Sequence, residues 1–219
     1  MAATDPNRSS HLPRLVALTP GAISEPQIPR LLDSIERCLD AGLPGLLLRE
    51  AALEDRLFWG LLEAVLEVRE RTGTGLWLAV HDRIHLGLLG DCEALHLGWR
   101  SLHPTMGRAC IGERRLLGFS SHRHDVPGAF EMCDYLFHSP VRKPGKTGFK
   151  SAMEPVGWEG LRRFVESTDR PTFALGGLRP EDGHRALRAG AQGVAVLSGI
   201  LGAEDPPGAV VPYLDDLEC

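Results

Sequence analysis

The stretch GLLLREAALEDRLFWGLLEAVLEVRERTGTGLWLAVH, residues 45–81, reads as one strand–helix–strand unit. Its two ends, GLLLRE and GLWLAVH, are continuous apolar runs closed by polar residues. Unbroken apolar character suits strands covered on both faces, as in a parallel sheet. Between them Leu57, Leu61, Leu62, Val65 and Leu66 recur at helical spacing, and Gly73 supplies a stop. Two parallel strands need a long crossover, and a helix of this length provides it.

The same alternation extends in both directions. Further strand-like runs are RLVALT at 14–19, ALHLG at 94–98, RLLGFSSH at 115–122, YLFHSPV at 135–141, PTFALGG at 171–177 and GVAVLSG at 193–199. Ser24-x-x-Gln27 is a capping-box pattern leading into Ile28, Leu31, Leu32, Ile35 and Leu39, with Gly42 placed to end that helix. Arg179-Pro180-Glu181-Asp182 opens another helix, with proline in its first turn and acids favouring the dipole, and Gly190 ends it. Eight strands alternating with helices is the pattern of an α/β protein of the (β/α)8 TIM-barrel class, here a single domain over 14–219 preceded by a loose arm, 1–13. A doubly wound open sheet is the alternative, because strand counting does not register closure.

Composition narrows the functional classes. The 219 residues are 43% apolar and 24% charged, with a formal net charge of −5. Lysines and arginines are dispersed, so no nucleic-acid footprint is expected. The five cysteines (Cys38, Cys92, Cys110, Cys133, Cys219) form no C-x-x-C pair and are odd in number, which reads as reduced thiols. The opening MAATDPNRSSHLPR has no secretory apolar core, and no run reaches membrane-spanning length. A cytoplasmic protein without membrane partners is the expectation.

In a barrel of this class, function gathers at the C-terminal ends of the strands. Those ends carry Thr19, Arg49-Glu50, His81-Asp82-Arg83, Gly98-Trp99-Arg100, Ser120-Ser121-His122, Ser139-Pro140, Gly176-Gly177 and Ser198-Gly199. Glycines after strand seven and a Ser-Gly turn after strand eight aim backbone N–H groups at one spot, a cradle for phosphate; the bland alternative is a pair of tight turns. His122 offers an imidazole that titrates near neutrality, suited to moving a proton, or it is a polar strand-end residue. His124 reads as exposed loop.

Taken together, LLLRE, HDR, HLG, GFSSH, CDYLFHSPV, VGWEGLRRF, FALGGL and GVAVLSGI make the chain resemble the thiamine phosphate synthase and TenI superfamily from about Leu15 to Leu201. The resemblance implies one of two activities: a synthase joining an aminopyrimidine diphosphate to a thiazole phosphate with magnesium, or a TenI-like thiazole tautomerase. Four departures fall on diphosphate and metal handling. Ala51 stands where the pattern has lysine, and His81 stands where it has asparagine. Trp99-Arg100-Ser101 follows HLG where an acid belongs, and RKPGKTGFK lacks a threonine at the family spacing before Lys143, Lys146 and Lys150.

From these departures the expectation is the tautomerase. This isomerase needs no metal or other cofactor; His122 would shuttle the proton and Arg49 would clamp the substrate carboxylate. His81 assists the substrate or simply hydrogen-bonds inside the mouth, and Gly176, Gly177, Ser198 and Gly199 hold the phosphate. Glu50, Asp82, Ser120 and Lys146 complete the mouth. His96, Trp77 and Trp99 are expected to be structural. The alternatives are the synthase, with magnesium at Asp82, and a non-catalytic paralogue that binds thiazole phosphate. The resemblance also implies a homodimer.

Overall fold

The computed structural model describes residues 12–125, 127–143 and 153–218. Eight parallel strands close into a barrel in chain order: β1 (Leu15–Leu18), β2 (Gly45–Leu48), β3 (Trp77–His81), β4 (Ala94–Leu97), β5 (Leu116–Ser121), β6 (Tyr135–His138), β7 (Thr172–Leu175) and β8 (Gly193–Val196). The pairing of β1 with β8 (Leu15 with Val194, Val16 with Ala195) closes the barrel and excludes the open sheet. All eight apolar runs are strands, and all but β3, which keeps His81, are trimmed at their polar end.

Alternation along the strands separates two cores. Val16, Leu18, Leu47, Trp77, Ala79, Ala94, Tyr135, Phe137, Phe173, Leu175 and Ala195 fill the interior. Leu46, Leu48, Leu78, Val80, Leu95, Leu97, Leu117 and Leu136 face outward to the helices. Gly118 allows this interior to exist. A Cβ there would lie 2.1 Å from Tyr135 Cζ and 2.5 Å from His96 Nδ1, so any side chain at 118 would displace the Tyr135 ring or His96.

The helices are α1 (Ile28–Asp40), α2 (Asp55–Thr72), α3 (Ile84–Leu89), α4 (Pro104–Ile111), α5 (Gly157–Glu166), α6 (Gly183–Arg188) and α7 (Pro206–Glu218). The capping-box residues work as the pattern predicts: Gln27 Oε1 accepts the Ser24 N–H at 2.8 Å. They cap a single 3-10 turn, Glu25–Gln27, that runs into α1. Gly42 follows α1 in the left-handed region (φ +90°) and Gly73 follows α2 likewise (φ +62°), as apolar stripes ended by glycine predict. Among the described residues no helix is long and apolar enough to cross a membrane.

One buried histidine makes the barrel acid-sensitive. His138, on the outward face of β6, stacks flat on Phe164 of α5 with ring centroids 3.8 Å apart, and its Nδ1 lies 2.9 Å from Ser121 Oγ. Burial, with a smaller contribution from the charge of His122, pulls its pKa down to about 4. The unfolded chain binds this proton below about pH 6.5 while the folded chain refuses it, so stability is whole above that pH and falls as the pH drops towards 4. The loss is expected to approach about 3 kcal/mol. Urea denaturation of wild type and His138→Gln at pH 7 and 4.5 measures it: the wild type should lose more stability between the two pH values, and equal losses would show that another group titrates.

Candidate active site

The rim is assembled from strand ends that alternate inward. Arg49 follows inward-facing Leu47, His81 follows Trp77 and Ala79, and His122 follows Gly118 and Ser120. The Arg49 N–H donates to Thr19 Oγ1 (2.8 Å), and its guanidinium lies over the β1–α1 loop, so close that a Cβ on Gly21 would be 2.3 Å from Nη1. Arg49, Glu50, Ala51, His81, Asp82 and Arg83 line one pocket of about 210 Å³. The four charged or titratable groups expected on this side of the mouth (Arg49, Glu50, His81 and Asp82) therefore line one space, though one of them is otherwise occupied.

That one is committed to the fold. Glu50 is 1% exposed, and its carboxylate accepts the N–H groups of Gly21 (2.9 Å) and Ile23 (3.0 Å). It ties the β1–α1 loop to β2 and so holds the loop on which Arg49 rests. Arg83 is similarly engaged. It donates to Glu50 O (2.9 Å), Leu53 O and Asp55 Oδ1 (2.8 Å), and its guanidinium covers the Phe58 ring.

Asp82 lines the pocket in a left-handed backbone conformation (φ +64°), one that non-glycine residues hold only when their surroundings fix it. Its Oδ2 is 3.1 Å from His81 Nδ1, and its Oδ1 accepts the Ser101 hydroxyl. Ser101 in turn accepts the Gly98 N–H at 2.6 Å, so the turn after β4 aims that hydroxyl at Asp82. Burial raises the Asp82 pKa, but the bonds and charge of His81, the Ser101 hydroxyl and the charge of His96 outweigh it and hold the carboxyl below its usual value. One layer deeper, fully buried His96 bridges Ser120 Oγ (2.9 Å, Nε2) and Tyr135 OH (3.2 Å, Nδ1) against Phe137. His96 is structural, as expected, and Ser120 is its partner below the mouth.

Across the barrel, His122 leaves β5 with its side chain mostly covered. Its N–H donates to Asp125 Oδ2 at 2.8 Å, with Nδ1 3.8 Å from the same oxygen. His124 is exposed, as expected. The turns after β7 and β8 are joined by a residue that the sequence reading missed. Tyr213 of α7 donates its hydroxyl to Leu178 O (3.0 Å), and the same oxygen stands 2.3 Å from where a Gly199 Cβ would be. Gly199 thus admits a tyrosine that spans both turns. Gly176 and Gly177 are left-handed (φ +99° and +66°) and pressed on Pro140 and on the carbonyls of Arg142 and Lys143. Arg142 locks this contact through Asp182 (2.8 and 2.6 Å) and through its own N–H to Gly176 O (3.0 Å). Ser198 is exposed beside Gly199. Lys146 lies outside the described residues.

Magnesium, which the synthase resemblance implies, finds a poor donor set. Protein sites for this ion use one or two carboxylates in near-octahedral order. Asp82 has one partner on each oxygen, Ser101 and His81, and Glu50 is turned into the β1–α1 loop, which leaves no second carboxylate in the pocket lining. Among the described residues no group of three or more His, Cys, Asp or Glu side chains could hold a metal. The residues do not fit a protein-built magnesium site.

A family model described as thiamine monophosphate synthase matches residues 20–200. The chain is 33% identical over 207 residues to a thiamine-phosphate synthase of Gloeobacter violaceus, covering 93% of this chain and 59% of that protein. It is 31% identical over 177 residues to a thiamine-phosphate synthase of Moorella thermoacetica, covering 80% of this chain and 82% of that one. Its backbone is similar to that of a thiamine phosphate pyrophosphorylase from Pyrococcus furiosus (TM-score 0.78, 23% identity, 94% and 95% coverage), a likeness of fold. These relatives overturn the expectation of an isomerase. Proteins bearing the transferase's name match through the very segments whose departures suggested the tautomerase. Two of those departures, His81 and Ser101, are bonded to Asp82, which accounts for them physically without a change of reaction.

Proposed function

This chain belongs to the thiamine monophosphate synthase family, and we propose that it couples a hydroxymethylpyrimidine diphosphate to a thiazole phosphate. The thiazole nitrogen bonds to the exocyclic methylene carbon of the pyrimidine. The carbon–oxygen bond to diphosphate breaks, diphosphate leaves with the electron pair, and the product is thiamine phosphate. The observation that carries this reading is the match over residues 20–200, which contains every strand end of the rim from Arg49 to Gly199.

In this reading the chain's work is positioning and charge. Backbone N–H groups of the Gly176-Gly177 and Ser198-Gly199 turns, held together by Tyr213, take the thiazole phosphate. Arg49 meets the diphosphate, because a guanidinium pairs two oxygens of such a group at once. His81, paired with Asp82, and His122, whose backbone N–H is bonded to Asp125, line the space where the rings meet and donate hydrogen bonds to the departing diphosphate. Holding the two substrates in line supplies most of the acceleration. A homodimer in the cytoplasm, with small-molecule substrates only, belongs to the same proposal.

Incubation of the purified chain with both substrates, followed by mass spectrometry, tests it. Thiamine phosphate and diphosphate should appear together in equal amounts. Binding of thiazole phosphate without any product would instead favour a non-catalytic paralogue and sink the proposal.

A further inference from the structure

We infer that Ser101 closes Asp82 to divalent cations, so that the mouth of this barrel has no protein-held metal and a substrate diphosphate meets Arg49 directly. The inference deepens the synthase reading of the same site and rests on it, but it follows from the local geometry. An aspartate that receives a hydrated cation needs a free oxygen and, for a firm site, a second carboxylate nearby. Here Asp82 Oδ1 already accepts the Ser101 hydroxyl, Oδ2 is 3.1 Å from His81 Nδ1, and the other carboxylate of the pocket lining, Glu50, is bonded to the Gly21 and Ile23 N–H groups, so no second carboxylate is available. The bond to Ser101 is built in. The hydroxyl accepts the Gly98 N–H (2.6 Å), and the Ser101 N–H returns to Gly98 O (3.0 Å). That closed turn fixes where the hydroxyl points.

Position 101 therefore decides the matter. A carboxylate there would face Asp82 across the gap that the hydroxyl now spans, and repulsion between the two would open room for a cation. Asp82 stays, in this chain, as the positioning partner of His81. Their bond leaves His81 Nε2 directed to the Gly98 side of the mouth, 3.1 Å from where a Cβ on Gly98 would stand. Any cation entering with substrate would draw its ligands from the diphosphate and water.

Manganese is the probe, since its paramagnetic signal reports binding with no substrate present. Titration of the wild-type chain should give no saturable site. Ser101→Asp should gain one ion per chain, and Ser101→Asp with Asp82→Asn should lose it again. A saturable wild-type site that Asp82→Asn abolishes would overturn the inference, and so would a folded Ser101→Asp that binds nothing. Should Ser101→Asp fail to fold, the comparison of wild type with Asp82→Asn still decides, because only a metal-holding Asp82 makes the two differ. Since no substrate is used, failure here is distinguishable from failure of the synthase reading.

Discussion

Gly177→Val is expected to lower kcat/KM for thiamine phosphate formation by about 10²-fold, the usual consequence of moving a substrate anchor by about an ångström. Gly177 has φ +66°, and a Cβ there would lie 2.6 Å from Lys143 O and 2.9 Å from Arg142 O. Both neighbours are backbone, tied by Arg142 to Asp182 and Gly176, so no flexible side-chain tip can give way. The turn itself must shift, and the proposed phosphate donors shift with it. Gly73→Ala is the matched control. It has nearly the same backbone angle (φ +62°), nothing lies within 4 Å of its Cβ position, and it caps α2. It should pay the left-handed penalty of about 1–2 kcal/mol in stability and leave the kinetics untouched. Steady-state kinetics in thiazole phosphate checks both, and wild-type kinetics in Gly177→Val would remove the turn from the site.

Arg108→Met should destabilise the fold by about 3–5 kcal/mol, the cost of leaving a buried charge without its partner. Arg108 of α4 is 9% exposed and Asp134, before β6, is 8% exposed, and the two are in direct contact. The guanidinium also donates to Gly112 O (2.8 Å) and Arg115 O (2.9 Å), while the Asp134 carboxylate accepts the Leu117 N–H (2.7 Å). One pair thus joins α4, the start of β5 and the approach to β6. The double variant Arg108→Met, Asp134→Asn should recover part of the loss, because the carboxamide still accepts from Leu117 and carries no charge. Urea denaturation of the wild type, the two single variants and the double variant measures it. Losses that simply add would mean that the pair is not coupled.

The fold was legible because its signals are local. Each strand is an apolar run that ends in polar or glycine residues, and Gly42 and Gly73 end helices where stripes stop. Helices α3 and α4 are six and eight residues long, too short for a stripe to register. Helix α7 carries Pro212 inside it, which argues against a helix on sequence alone. The site was legible as a set of strand ends and opaque in its bonds. Asp82 and Ser101 are 19 residues apart and meet only through adjacent strands. Read singly, His81 and Ser101 look like losses, and together they suggested another reaction; in space they hold one carboxylate between them. Tyr213 had no signal at all, because its role depends on a missing side chain at Gly199. Glu50 read as a mouth acid because nothing in its neighbourhood announces that the β1–α1 loop turns back onto it.

In the proposed reaction one rim, from Arg49 to Gly199, holds both halves of the product. A crystal structure of the chain with thiamine phosphate tests it most directly. The phosphate is expected within hydrogen-bond reach of backbone N–H groups at Gly177 and at Ser198 or Gly199, with the pyrimidine towards Arg49 and His81. Product bound at the opposite, N-terminal end of the barrel, or on this rim with its phosphate away from both glycine turns, would contradict it.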